Sequence, residues 1–213
     1  MRLMISALAA LMLAVPAWAN DIAFDGNWKQ QGFLRLSPNT YELGGDFMGI
    51  SSADSVSMIY RPVPRGHWQA DKATWDWAVS QSVPATDLTI KGVDDRNISL
   101  YFVFVDPDQA DRLANASARR IFGNESMRTL VYVWGGDYPR GTVLDSPFQP
   151  GQMMMLPLRK AGTGAFRESV DLAADYRRAF GAEPGVLVGL AVSADSDDTN
   201  TAVTARLANL DIR

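Results

Sequence analysis

The sequence predicts an all-β protein, a two-layer antiparallel β-sandwich of jelly-roll type with one or two short peripheral helices. Three observations predict it. Short runs of alternating apolar and polar residues recur along the chain, each bounded by Gly, Pro, Asp or Asn. Only two stretches carry helical spacing. The composition is that of a folded globule, 47% hydrophobic and 21% charged over 213 residues. A strand of alternating pattern has one apolar face to bury, and a second sheet is the nearest apolar surface.

The first element is a leader. Met1–Ala19 has a single positive charge at Arg2, an apolar stretch from Leu3 to Val15, Pro16, and the small-x-small site Ala17-Trp18-Ala19. This is the pattern of a secretory signal peptide cleaved after Ala19. The apolar stretch is short beside the roughly 20 residues a bilayer span needs. A periplasmic or secreted protein is expected, with residues 20–213 as a single domain and no stable membrane insertion once the leader is removed.

The strands follow in order. Ile22–Lys29 starts like a strand and is interrupted by Asp25-Gly26-Asn27, and Tyr41–Leu43 precedes the turn Gly44-Gly45-Asp46. In Ser55–Tyr60, Val56, Met58 and Tyr60 share a face until Pro62 and Pro64 break the run. In Thr74–Ser80, Trp75, Trp77 and Val79 face one way and Asp76, Ala78 and Ser80 the other. Asn97–Val105 is β-branched and aromatic almost throughout, as in a strand buried on both faces. Leu130–Trp134, Met153–Leu158, Val186–Ser193 and Ala205–Ile212 complete the strands. One helix is expected over Asp108–Phe122, after the Asp106-Pro107 start signal. Another is expected from about Glu168 to Phe180, closed by Gly181.

Composition excludes much chemistry. The sequence has no cysteine, which rules out disulfides, thiolate zinc sites, iron–sulfur clusters and a cysteine nucleophile. Its one histidine, His67, excludes multi-histidine metal sites. A net charge of −4 gives no general attraction to nucleic acid, which is not expected as a partner. No serine lies in a G-x-S-x-G elbow, and there is no P-loop, dinucleotide fingerprint or zincin motif.

Two groups of residues remain as candidates. Asp195, Asp197 and Asp198 crowd three carboxylates into four positions, an oxygen-rich loop of the sort that suits calcium, although it is not an EF-hand. The competing reading is a turn whose side chains bond local backbone N–H groups. Asp94 and Asp95 could reach the same end of the sandwich. Trp68 and Tyr138 lie in loop-like sequence and could stack on a sugar ring, with Asp94 and Asp95 gripping hydroxyls. Trp75, Trp77 and Trp134 read as core. Met153, Met154 and Met155 offer soft copper ligands on paper, but alternation sends Met154 to the opposite face, so core packing is the better account.

Several segments resemble the bacterial exported family known as domain of unknown function 3047. They are Trp75-Asp76-Trp77, Asp94-Asp95 ahead of the aromatic strand, LVYVWGGDYPRGTVLDSPF at 130–148, DYRRAFG at 175–181 and GLAVSADSDDT at 189–199. The resemblance implies a jelly-roll module like those of carbohydrate-binding domains, with no established activity. The chain departs from the family pattern where arginine is usual: Asp76 between the tryptophans, a position near Ser99, and Val170. An anion-binding cleft built on those cations would be weakened here.

The expected function is an exported, non-catalytic ligand-binding module, with a carbohydrate or cell-envelope glycan as the partner. Two alternatives stand beside it. One is a polysaccharide hydrolase using two carboxylates roughly 5–9.5 Å apart. The other is a structural or assembly protein of the cell envelope.

Overall fold

The computed structural model describes residues 22–213, so the leader reading of residues 1–19 lies outside the described residues. The chain forms the expected two-layer, jelly-roll-like sandwich. One sheet has seven strands, in spatial order β1 (Lys29–Gly32), β4 (Val56–Pro62), β11 (Val186–Asp195), β6 (Arg96–Val105), β7 (Arg128–Trp134), β9 (Met153–Arg159) and β8 (Leu144–Asp145). The other has five: β10 (Gly164–Asp171), β5 (Lys72–Gln81), β12 (Ala202–Ile212), β3 (Phe47–Ala53) and β2 (Thr40–Leu43). All pairings are antiparallel except β7 with β9.

The core lies between the sheets. From β5, Trp75 and Trp77 meet Phe102 of β6 and Tyr132 and Trp134 of β7, with most ring centroids 5.5–6.2 Å apart. Each large aromatic removes about 150–250 Å² from water, roughly 4–6 kcal/mol before entropy is counted. One carboxylate is built into the edge of this core. Glu168 of β10, buried, accepts from Trp77 Nε1 at 3.1 Å and Arg159 Nε at 2.8 Å, and pairs with Arg140 Nη1 at 2.8 Å.

Both helical expectations need correction. The first helix breaks into a 3₁₀ turn (Pro107–Gln109), α1 (Ala110–Leu113) and α2 (Ala118–Phe122). The second helix, α3, covers only Leu172–Phe180, because Glu168–Asp171 pairs with β5 as a strand. Asp171 caps α3, its carboxylate accepting from Ala174 N at 2.7 Å, and Gly181 ends it with φ of 67° in the left-handed region. β3, β8 and β10 were not expected as strands, and β1 meets the expected Ile22–Lys29 segment only at Lys29. β3 carries Gly49, Ser51 and Ser52, which have little strand preference of their own.

The seven-stranded sheet is covered on both faces. Alternation sends Leu100, Phe102, Leu130, Tyr132, Leu156 and Leu190 inward. It sends Met58, Tyr101, Val131, Val133, Met153, Met155 and Ala191 to the outer face, where Leu88 packs on them. Met154 packs with the inner core, so the three consecutive methionines do not converge. This second apolar face positions the site described next.

Candidate functional site

A β-bulge creates the polar centre of the outer face. Ser193 of β11 pairs with Ser99 of β6, but Asp195 pairs with Arg96, so β6 carries one extra residue. The extra residue returns Arg96 to the face that carries Ser99 and Tyr101. Gly135 permits this. A Cβ there would sit 2.7 Å from the Cβ of Arg96, so only glycine lets the end of β7 pass so close.

The Arg96 guanidinium is buried and fully engaged. Its Nε donates to Ser99 Oγ at 3.0 Å, Nη1 to Asp94 Oδ2 at 2.7 Å, and Nη2 to Tyr101 Oη at 3.4 Å. Asp195 Oδ2 lies 3.3 Å from Nη1. Burial opposes the arginine charge, but Tyr101, Asp195 and Asp94 together hold its pKa above the usual value. A cation therefore does reach Ser99, supplied from three positions upstream rather than from the position the family resemblance implied.

The acidic residues gather beside it. Asp95 is fully buried and accepts from Asp198 N at 3.2 Å, from Thr199 N at 2.7 Å and from the Thr199 hydroxyl. Carboxylate oxygens of Asp95, Asp195 and Asp197 lie within 4.8 Å of one another. Asp195 is 6% exposed, and its Oδ1 has no hydrogen-bond partner among the described residues. Burial, then the neighbouring Asp197 and Asp95 against the opposing pull of Arg96, push its carboxyl up to about 9. Asp198 Oδ2 accepts from Asp94 N at 3.3 Å, and burial raises its pKa.

This cluster forms one end of a cleft of about 560 Å³. The floor is apolar, made of Val56, Met58, Val131, Met153 and Met155, with Tyr101 beside Arg96. Phe33, Leu36 and Phe148, each 42–49% exposed, form a rim, and Lys91 Nζ stands 5.3 Å over the Phe148 ring. Gln149 also lines the cleft. Its Nε2 donates to Phe122 O at 2.7 Å, while its buried Oε1 has no partner among the described residues.

The structure brings Asp94 and Asp95 together with the 195–199 turn across about a hundred residues of sequence. Asp94, Asp195, Asp197 and Asp198 line the cleft, and Asp95 lies behind them as a support. Trp68 and Tyr138 do not line it. Trp68 is half-buried between core clusters, its indole N–H donating to Val63 O at 3.0 Å under the Arg65 guanidinium. Tyr138 donates to Asp87 Oδ1 at 2.6 Å and packs at the margin of the outer apolar layer. The other four described tryptophans, Trp28, Trp75, Trp77 and Trp134, are buried. His67 is half-buried, with Nδ1 3.0 Å from Ile212 O. Asp76 lines a separate, open groove on the outer face of the five-stranded sheet, where it accepts from Asn209 Nδ2 at 2.6 Å.

Sequence reading missed Arg96, Tyr101, Gln149 and the methionine floor. A signal existed for the first: an arginine directly after two aspartates, at the head of an otherwise apolar strand, needs a buried partner.

Similar proteins add a frame. No curated protein matches the chain in sequence. Among solved structures it is similar to the xyloglucanase domain of NopAA, a type three effector from Sinorhizobium fredii, in complex with cellobiose (TM-score 0.45, 8% identity, 87% of this chain and 92% of that one). It is similar to the family 11 xylanase from Neocallimastix patriciarum (TM-score 0.40, 10% identity, 87% and 99%). It is also similar to the carbohydrate recognition domain of Emp47p (TM-score 0.33, 15% identity, 90% and 92%). These likenesses are too loose to carry a ligand or a mechanism across. The family model described as "Protein of unknown function (DUF3047)" matches residues 26–211, and the chain belongs to that family.

Proposed function

We propose that this chain is a non-catalytic ligand-binding module and that the outer-face cleft is its binding site. One observation carries the reading. Among the described residues, three buried side-chain polar atoms lack a hydrogen-bond partner, and two of them, Asp195 Oδ1 and Gln149 Oε1, belong to residues of this cleft. Buried polar atoms are nearly always satisfied, so unpartnered polar atoms on residues that line a cleft call for a partner from outside. The same cleft presents methionine, valine and phenylalanine surface.

The ligand therefore has two parts: an apolar body for the floor and rim, and hydroxyl or other hydrogen-bonding groups for the acidic end. A sugar bearing an alkyl or acyl chain fits both, whereas a bare hydrophilic glycan fits only the second. The carbohydrate reading draws its support from this hydrogen-bonding requirement and not from tryptophan platforms. Export beyond the inner membrane, from the leader at residues 1–19, belongs to the same proposal.

The test is a titration of [¹³C-methyl]-methionine protein with octyl glucoside below its micelle concentration, and separately with cellobiose. The expected result is that the methyl signals of Met58, Met153 and Met155 move with the octyl glucoside. Met48, buried between the sheets, stays in place as the control. Still signals at all three cleft methionines, or movement of Met48 by as much as theirs, overturns the reading.

A further inference from the structure

We infer that Asp95, Asp195 and Asp197 form a calcium site at the acidic end of the cleft. Three independent features lead to it. The first is spacing. The three carboxylates place oxygens within 4.8 Å of one another. Two oxygens bound to one Ca²⁺ at about 2.3–2.6 Å stand at most roughly 5 Å apart, so the cluster lies near the spacing this ion needs. Mg²⁺, with bonds of about 2.0–2.1 Å, needs ligand oxygens within roughly 4.2 Å of one another and at octahedral angles, a stricter demand. An all-oxygen ligand set also selects a hard cation over zinc or copper.

The second feature is an unfilled position. Asp195 is 6% exposed, yet its Oδ1 has no partner among the described residues. Its other oxygen faces Arg96, but that guanidinium is nearer to Asp94, at 2.7 Å against 3.3 Å. Arg96 pairs with Asp94 and Asp195 only, so Asp95 and Asp197 have no cation against them among the described ion pairs.

The third is the division of labour among the ligands. Asp95 is held in place by two backbone N–H groups and the Thr199 hydroxyl, so one ligand is fixed before any ion arrives. Asp197 is half-exposed and lines the cleft, so the position is open to solvent from one side. Three carboxylates leave room in a shell of six to eight oxygens. Water fills the remainder and, on the reading of the cleft given above, so do ligand hydroxyls. The ion would then be part of the ligand-recognising surface.

The experiment uses the full chain, stripped with EDTA and melted with added calcium chloride or magnesium chloride, beside calorimetric titration with calcium. The expected result is a rise in Tm of about 5 °C or more once calcium exceeds Kd a hundredfold, with a smaller rise for magnesium. Asp197→Asn keeps the stripped protein's Tm to within about 2 °C and loses most of the calcium-dependent rise. No shift and no heat in the unsubstituted protein, or an equal shift in Asp197→Asn, overturns the site. The methionine-methyl titration is repeated in EDTA to separate the two proposals. Glycoside binding with no calcium effect on melting overturns the ion site alone. A calcium shift without glycoside binding supports the ion site and overturns the reading of the cleft.

Discussion

Asp95 Oδ2 accepts a hydrogen bond from the backbone N–H of Thr199 at 2.7 Å, joining two residues 104 positions apart. Through it, the loop before β6 fixes the turn after β11, and Asp198 N and the Thr199 hydroxyl reinforce the contact. The aspartate-rich turn therefore owes its shape to a buried carboxylate from another part of the chain, not to its own side chains alone.

Replacing that carboxylate should loosen the turn and the acidic end of the cleft together. Asp95→Ala strands two backbone donors and a hydroxyl. Hydrogen bonds to a charged group contribute about 1.5–3 kcal/mol each and are not additive, so a loss of about 2–4 kcal/mol is expected. Scanning calorimetry should show a fall in Tm of roughly 5–15 °C. Thr199→Val removes only the hydroxyl and should cost less than half as much. Equal losses in the two variants would refute the assignment of Asp95 as the organiser.

Arg96 should resist every substitution, including lysine. Arg96→Met leaves Asp94 as a buried carboxylate without its counter-charge, which costs about 3–5 kcal/mol. Arg96→Lys keeps the charge but cannot reach Ser99, Asp94 and Tyr101 at once, because the ammonium lacks the planar fork. Urea denaturation should place both midpoints well below the parent, with Arg96→Lys between the other two. A lysine variant of full stability would show that the fork geometry is unimportant.

At the opposite edge of the core, Glu168 offers a contrast. Arg140 and Arg159 are partly exposed, so solvent discounts their attraction. The buried partner is the Trp77 indole N–H. Glu168→Ala should cost about 2–3 kcal/mol, mainly by stranding that donor, and Glu168→Gln should recover more than half. Chemical denaturation of the two variants checks this, and a glutamine variant no better than alanine would assign the effect to the ion pairs instead.

Stability should fall at alkaline pH for a definable reason. Burial, partly offset by hydrogen bonds with Ser57 and Asn39, raises the Tyr41 pKa from 10.0 to about 12. Burial and Asp175 raise that of Tyr132 as well. A group whose pKa is higher in the folded state contributes fully below its unfolded pKa. That contribution is lost as pH rises through the folded value. The window for Tyr41 is therefore about pH 10 to 12. Tyr41→Phe is less stable near neutrality, having lost the bond from Tyr41 Oη to Ser57 O, but should lose roughly 2 kcal/mol less than the parent between pH 10 and 12. Parallel stability–pH curves for the two proteins would refute the role of Tyr41.

The sandwich was legible because its evidence is local. The Trp75–Trp77–Val79 face, the both-sides-buried strand Asn97–Val105, and Gly181 as a helix stop are set by neighbours within a few residues. Errors arose where pairing overrode local preference. Glu168–Asp171 fits a helical pattern, yet its backbone is claimed by β5. β3 has weak strand preference, yet it lies between β12 and β2. Trp68 and Tyr138 read as exposed from loop-like neighbours, and packing took them instead.

By itself, the sequence determined that there would be two apolar layers to bury, that cysteine and multi-histidine chemistry were absent, and that aspartates would crowd at 195–198. Only the tertiary structure decided which acids meet. The β6–β11 register and its bulge turn Arg96 onto the outer face, bring Asp95 under the distant turn, and leave Asp195 buried with one oxygen unanswered. The reason is physical: alternation and turn preference act over a few residues, whereas a site is made by strand register, and one residue of slip sends a side chain to the other face.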